Sequence, residues 1–139
     1  MNNFKTKTTM KKSIFISLTA TVIALFVSCT NEIKNQPIVT INEANIEGTY
    51  ICVEADIQAA NKTQSIRIEV LDAAGQTKLS KDFANSKYVG KLNIPEFHEH
   101  IDINNAGVRE GDLLRMTVTD QQKLQTVATK ALTEEEDED

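Results

Sequence analysis

The residues of this chain best suited to chemistry lie together in Glu96-Phe97-His98-Glu99-His100-Ile101-Asp102. Both histidines of the 139-residue chain are here, two positions apart. On a β-strand alternate side chains share a face, so the two imidazoles project together, about 7 Å apart along the strand. Such a pair can share a Cu or Zn ion, and Glu96 or Asp102, on the same face, can add a carboxylate ligand. The plainer alternative is a strand that buries Phe97 and Ile101 and turns its histidines to water. A third donor arriving from a neighbouring strand, such as Cys52, Met116 or a carboxylate, would separate the two readings.

Other chemistry has less footing. Asp72, Asp102, Asp112 and Asp120 stand near loops and are candidate calcium ligands, but no DxDxDG-like loop gathers them, and Asp120 reads more simply as a hairpin residue and Asp112 as a turn residue. There is no GxSxG elbow, no phosphate-binding loop and no local Cys-His arrangement, so a non-enzymatic protein is expected. Cys52 lies in Ile51-Cys52-Val53-Glu54-Ala55-Asp56-Ile57, where Ile51, Val53, Ala55 and Ile57 form the apolar set. This puts Cys52 on the face of Glu54 and Asp56, as a half-covered strand residue.

The elements that must position these residues are short and β-rich. Runs of period-2 hydrophobicity are expected at Ile38 to Ile41, Thr49 to Ile57, Ser65 to Asp72, Thr77 to Phe83, Tyr88 to Ile94, Phe97 to Ile103, Leu113 to Asp120 and Leu124 to Ala131. Gly75 supplies a positive-φ position for a hairpin, and the polar strand after it suits a sheet edge. Pro95 is expected to interrupt the ladder. Six to eight short strands over residues 38–133 make an immunoglobulin-like or fibronectin-III-like two-sheet sandwich of about seven strands, with a five-stranded closed barrel as the alternative.

Both ends read as separate from that fold. Residues 1–12 carry Lys5, Lys7, Lys11 and Lys12, and Ser13 to Ser28 is apolar apart from small hydroxyl residues. These are the charged and apolar regions of a secretory signal. The 16 residues from Ile14 to Cys29 would span about 24 Å as a helix, short of the ~30 Å hydrocarbon core. Leu25-Phe26-Val27-Ser28-Cys29 resembles the lipobox of bacterial lipoproteins, which implies an acylated Cys29 at the mature N-terminus, anchored in the lipid bilayer by its acyl chains. Residues 29–37 then form a tether. The six acids of 134–139 form a tail expected to lack structure.

Without the 28-residue leader the chain holds 11 basic and 20 acidic residues, a formal −9, and without the acidic tail only −3. An acidic body with four aromatic residues and no Trp argues against nucleic acid, which requires basic grooves and stacking platforms.

From Pro37 to Leu132, the succession PIVTI, VEADI, FHEHIDI and GDLLRMTVTD resembles small Ig-like cell-envelope lipoproteins of the Bacteroidota. Within these it is similar to an uncharacterised family with an H-x-H-I-x-I strand, matched here by His98, His100, Ile101 and Ile103. The resemblance implies an envelope sandwich with another envelope protein as a candidate partner. Thr30, in place of an aspartate after Cys29, favours the outer membrane, and the single Glu32 is a weak surface-export signal. The periplasmic side is therefore expected, with surface exposure as the alternative.

Overall fold

The computed structural model describes residues 35–135. The leader, Cys29, most of the tether and the last four acids lie outside the described residues. Eight strands follow in chain order: β1 (Ile38–Glu47), β2 (Tyr50–Gln58), β3 (Thr63–Leu71), β4 (Thr77–Phe83), β5 (Asn93–Asp102), β6 (Leu113–Asp120), β7 (Gln125–Ala131) and the two-residue β8 (Thr133–Glu134). They form two four-stranded sheets, β5-β2-β1-β8 and β4-β3-β6-β7. The architecture is an all-β two-sheet sandwich, with strand order β5-β2-β1 facing β4-β3-β6-β7 as in fibronectin-III-like domains. The closed barrel is not formed, since β4 and β5 remain sheet edges.

Alternation builds both layers. Ile51, Val53, Ala55 and Ile57 of β2 face Ile66, Ile68 and Val70 of β3 and Leu114, Met116 and Val118 of β6, all almost wholly buried. Met116 is thus a core residue, far in role from a metal ligand. Three aromatic residues close the side where β4 and β5 are edges. Phe83 and Phe97 meet edge-to-face at 5.5 Å between centroids, and Tyr88 lies 4.9 Å from Phe97. Tyr88 also donates its hydroxyl proton to Glu99, which Lys87 Nζ reaches at 2.6 Å, so the β4–β5 crossover is tied to β5. Edge-to-face pairing of this kind adds about 0.5–1.5 kcal/mol per pair beyond burial.

The turns follow their side chains. Asp72 Oδ1 accepts the amides of Ala74 and Gln76 at 2.9 Å, with Gly75 at φ +79°. Asp120 Oδ1 does the same for Gln122 and Leu124, and there Lys123 occupies the positive-φ position at +70° with no glycine.

The strand boundaries differ from expectation in three places: β8 takes Glu134 from the expected unstructured tail and pairs it with Ile46 of β1, and two further differences each have a physical cause. β1 runs for ten residues and not four, because a bulge at Asn42 shifts the register between Ile41 and Glu43 and breaks the hydrophobic alternation midway. Tyr88 to Leu92 is a turn with Leu92 half exposed, and the strand continues through Pro95. Proline is tolerated there because β5 is an edge and Pro95-Glu96 forms a bulge opposite Asp56, so no ladder amide is lost.

Candidate metal centre

Cys52 stands at the middle of sheet β5-β2-β1, on its outer face. The register places His100 of β5 directly opposite it, His98 opposite Glu54, and Asn45 of β1 on its other flank. Directly opposed side chains begin about 5 Å apart, so the register alone brings the thiol and both imidazoles within reach. Cys52 Sγ lies 3.4 Å from His98 Nε2, and one ligand atom from each of Cys52, His98 and His100 lies within 4.8 Å of the others. The ring centroids of the two histidines are 4.9 Å apart.

Two carboxylates complete the arrangement. Glu54 Oε1 is 3.3 Å from His98 Nδ1, so that a proton held on Nδ1 would leave Nε2, the atom facing sulfur, with its lone pair free. Glu47, at the end of β1, reaches across Cys52 to within 3.7 Å of His100 Nε2. Burial first, and then the charge and hydrogen bonding of Glu47 with the charges of Glu43 and Glu54, push the Cys52 thiol up to about 11. The sulfur is more covered than expected: the residue is only 4% exposed, because both neighbouring strands overhang it. The imidazoles remain about half exposed, at 48% and 52% of their side-chain area.

These donors suit a borderline metal. A tetrahedral ion with bonds of about 2.3 Å to sulfur and 2.0–2.1 Å to nitrogen separates those ligands by about 3.5 Å. The observed sulfur–nitrogen separation is 3.4 Å. A thiol and an imidazole in contact also have the composition of a nucleophile and its base. A nucleophilic thiol, however, needs a lowered pKa and cationic surroundings, whereas acids surround this one and raise it.

His98 and His100 join the group. Glu96 lies on the Pro95 bulge, along a shallow cleft of about 350 Å³ shared with Asn42, Glu54 and His98, and outside the ligand group. Asp102 is outside it too, and its Oδ1 accepts the amide of Asn104 at 2.8 Å. Of the calcium candidates, Asp72 and Asp120 cap their own turns, while Asp112 Oδ2 accepts the Arg109 amide at 2.9 Å and Lys78 Nζ at 2.7 Å. Glu47 and Glu54, which do meet the histidines, are not among the ligands expected from the sequence. Glu54 shares its face with Cys52 by simple alternation and was within reach of sequence reasoning. Glu47 falls in the stretch beyond the Asn42 bulge, where alternation from Ile38 assigns it to no strand.

No protein-family model matches the chain, and no curated protein matches it in sequence. Its fold is similar to part of two crystal structures of OgpA from Akkermansia muciniphila. The wild-type form is 14% identical, with a TM-score of 0.54, over 69% of this chain and 27% of that one. The catalytically inactive form, in complex with an O-glycopeptide (glycodrosocin) substrate, is 13% identical, with a TM-score of 0.54, over 69% and 28%. The chain thus spans little more than a quarter of the length of these proteins, and the likeness is one of fold.

Proposed function

We propose that this chain is a cell-envelope lipoprotein, anchored in the outer membrane through acylated Cys29, whose Ig-like domain is a non-enzymatic binding module for a Zn or Cu ion held by Cys52, His98 and His100. The observation that carries the reading is the 3.4 Å approach of Cys52 Sγ to His98 Nε2, with His100 alongside. The carboxylate of Glu54 behind His98 supports it, because metal-bound imidazoles commonly pass their other ring proton to a carboxylate. Binding expels the thiol proton, since the thiolate is the ligand. The periplasmic side is the favoured location, and another envelope protein is the natural partner for a tethered module.

Titration of the full-length protein in detergent with Zn(II) and Cu(II) tests the metal site. The wild type binds, and the His98→Ala/His100→Ala variant loses more than about 100-fold in affinity, beyond the 10- to 100-fold typical of supporting residues. Equal affinity in the two proteins rules the reading out. Anchoring is tested separately: Cys29→Ala abolishes labelling by palmitate and releases the chain from membranes.

A further inference from the structure

The three ligands leave a fourth position, and the geometry points to Glu47 filling it: we infer that Glu47 is the fourth ligand for a divalent ion and the residue that selects divalent zinc over monovalent copper. This rests on the metal site proposed above.

Carboxylate oxygen and imidazole nitrogen bound to one tetrahedral ion lie about 3.4 Å apart, and Glu47 Oε2 stands 3.7 Å from His100 Nε2. Sulfur and His98 Nε2 already stand at the spacing of a second ligand pair. Glu47 approaches from β1 while the histidines come from β5, so the donors flank Cys52 from both neighbouring strands. A four-coordinate ion needs ligands on more than one side of its thiolate; Glu47 stands beside His100, outside the three-residue group, and would close on the ion from the β1 side.

Charge gives the selectivity. Zn(II) with one thiolate, one carboxylate and two neutral imidazoles is a neutral assembly. Cu(I) with the same four ligands carries a net negative charge, on a sheet whose strands hold eight acidic residues, of which Glu99 is paired with Lys87, and no Lys or Arg of their own. Cu(I) is also content with sulfur and two nitrogens, and gains little from a hard oxygen. Removing the Glu47 carboxylate therefore costs zinc a ligand and costs copper almost nothing.

Glu54 has a different role. It touches the far nitrogen of His98 at 3.3 Å and acts as a positioning residue, so its loss weakens binding without changing the inner coordination. Glu43 lies on the same face, and its carboxylate accepts from Asn45 Nδ2.

The experiment measures Zn(II) and Cu(I) affinities of the full-length protein by competition with chromophoric chelators, and records the visible spectrum of its Co(II) form. Glu47→Gln lowers Zn(II) affinity by at least about 10- to 100-fold, shifts the Co(II) ligand-field bands, and leaves Cu(I) affinity within a factor of about two or three. Glu54→Gln lowers Zn(II) affinity by about 10-fold with the Co(II) bands in place. Glu43→Gln, with the same charge change but no contact with an imidazole, leaves the Co(II) bands in place and lowers Zn(II) affinity less than either. Circular dichroism confirms that each variant keeps its sheet. An unshifted Co(II) spectrum in Glu47→Gln, or equal losses for Zn(II) and Cu(I), overturns the inference while the three-ligand site stands. Failure of the wild type to bind either metal removes both.

Discussion

The outer faces of the two sheets solve the problem of charge in opposite ways. On β4-β3-β6-β7 the charges are paired across strands in register: Arg67 lies opposite Asp82, with bonds of 2.6 and 3.0 Å, and Arg115 lies opposite Glu69, with contacts of 3.0 and 2.9 Å. On β5-β2-β1-β8 there is no Lys or Arg in any strand, and the acids surround a covered thiol and two imidazoles. The first face is complete in itself. The second has donors and negative charge in excess, which is the condition under which an added cation is held. A mean charge over the chain describes neither face.

The largest effect that separates these faces comes from beneath them. Phe97, fully buried, precedes His98 and packs against Phe83 of the opposite sheet. Phe97→Ala is expected to cost about 3–5 kcal/mol in urea unfolding. It loosens β5 and so lowers Zn(II) affinity, while the Arg115–Glu69 pair keeps its contacts. A variant that lost stability but bound zinc as tightly as the wild type would show that the imidazoles do not depend on this packing.

Next in size is the coupling of metal to folding. Zn(II) at 100 times its dissociation constant is expected to stabilise the wild type by about 2.7 kcal/mol. It should leave Cys52→Ser nearly unchanged, and thermal melts with and without the ion read the difference. Zinc stabilisation retained in Cys52→Ser would remove the asymmetry between the faces.

Acid tests the charge pairing of the other sheet. Asp112 is buried, which opposes its ionisation, but Lys78 Nζ and the Arg109 amide outweigh that and hold its carboxyl below the ordinary carboxylate range. Because the folded value is depressed, this stability is present above the unfolded value of about 3.9 and is lost as pH falls through the folded one. Asp112→Asn, costing about 1–3 kcal/mol at neutral pH, should flatten that acid dependence in urea midpoints measured between about pH 5 and 2.

The smallest effect belongs to the most visible pair. Arg67 and Asp82 hold each other's pKa values apart by their hydrogen bonds, raising the guanidinium and lowering the carboxyl, yet both side chains are more than half exposed. Solvent and salt screen such a pair. Arg67→Ala should therefore change the melting temperature less than any substitution above, with the difference vanishing at high salt. A large, salt-independent loss would mean that the paired face carries more of the fold than its exposure implies.

Much of the frame was legible in advance. β4 and β6 fall on their expected residues, Gly75 takes its positive φ, and Cys52 shares a face with Glu54, all of which follow from local alternation and turn chemistry. The two bulges were not legible, and they explain the misplaced boundaries: one inserted residue reverses the parity on which alternation depends. The same loss of parity hid Glu47. Alternation along one strand puts Glu96 and Asp102 on the face of the histidines, yet the carboxylates that meet the histidines come from β1 and β2.

The sequence by itself therefore determined that this is a β-sandwich and, between the bulges, which side chains point away from its core, because period-2 patterning is a local property of each strand. It also determined that His98 and His100 share a face. Which strand lies beside which, and in what register, is set by long-range packing of Phe83, Tyr88 and Phe97 and by the antiparallel pairing of β2 with β5. Only that pairing brought Cys52, forty-six residues earlier in the chain, to 3.4 Å from His98. A set of donor side chains drawn from three strands is a property of register, and register is decided when the sheet assembles.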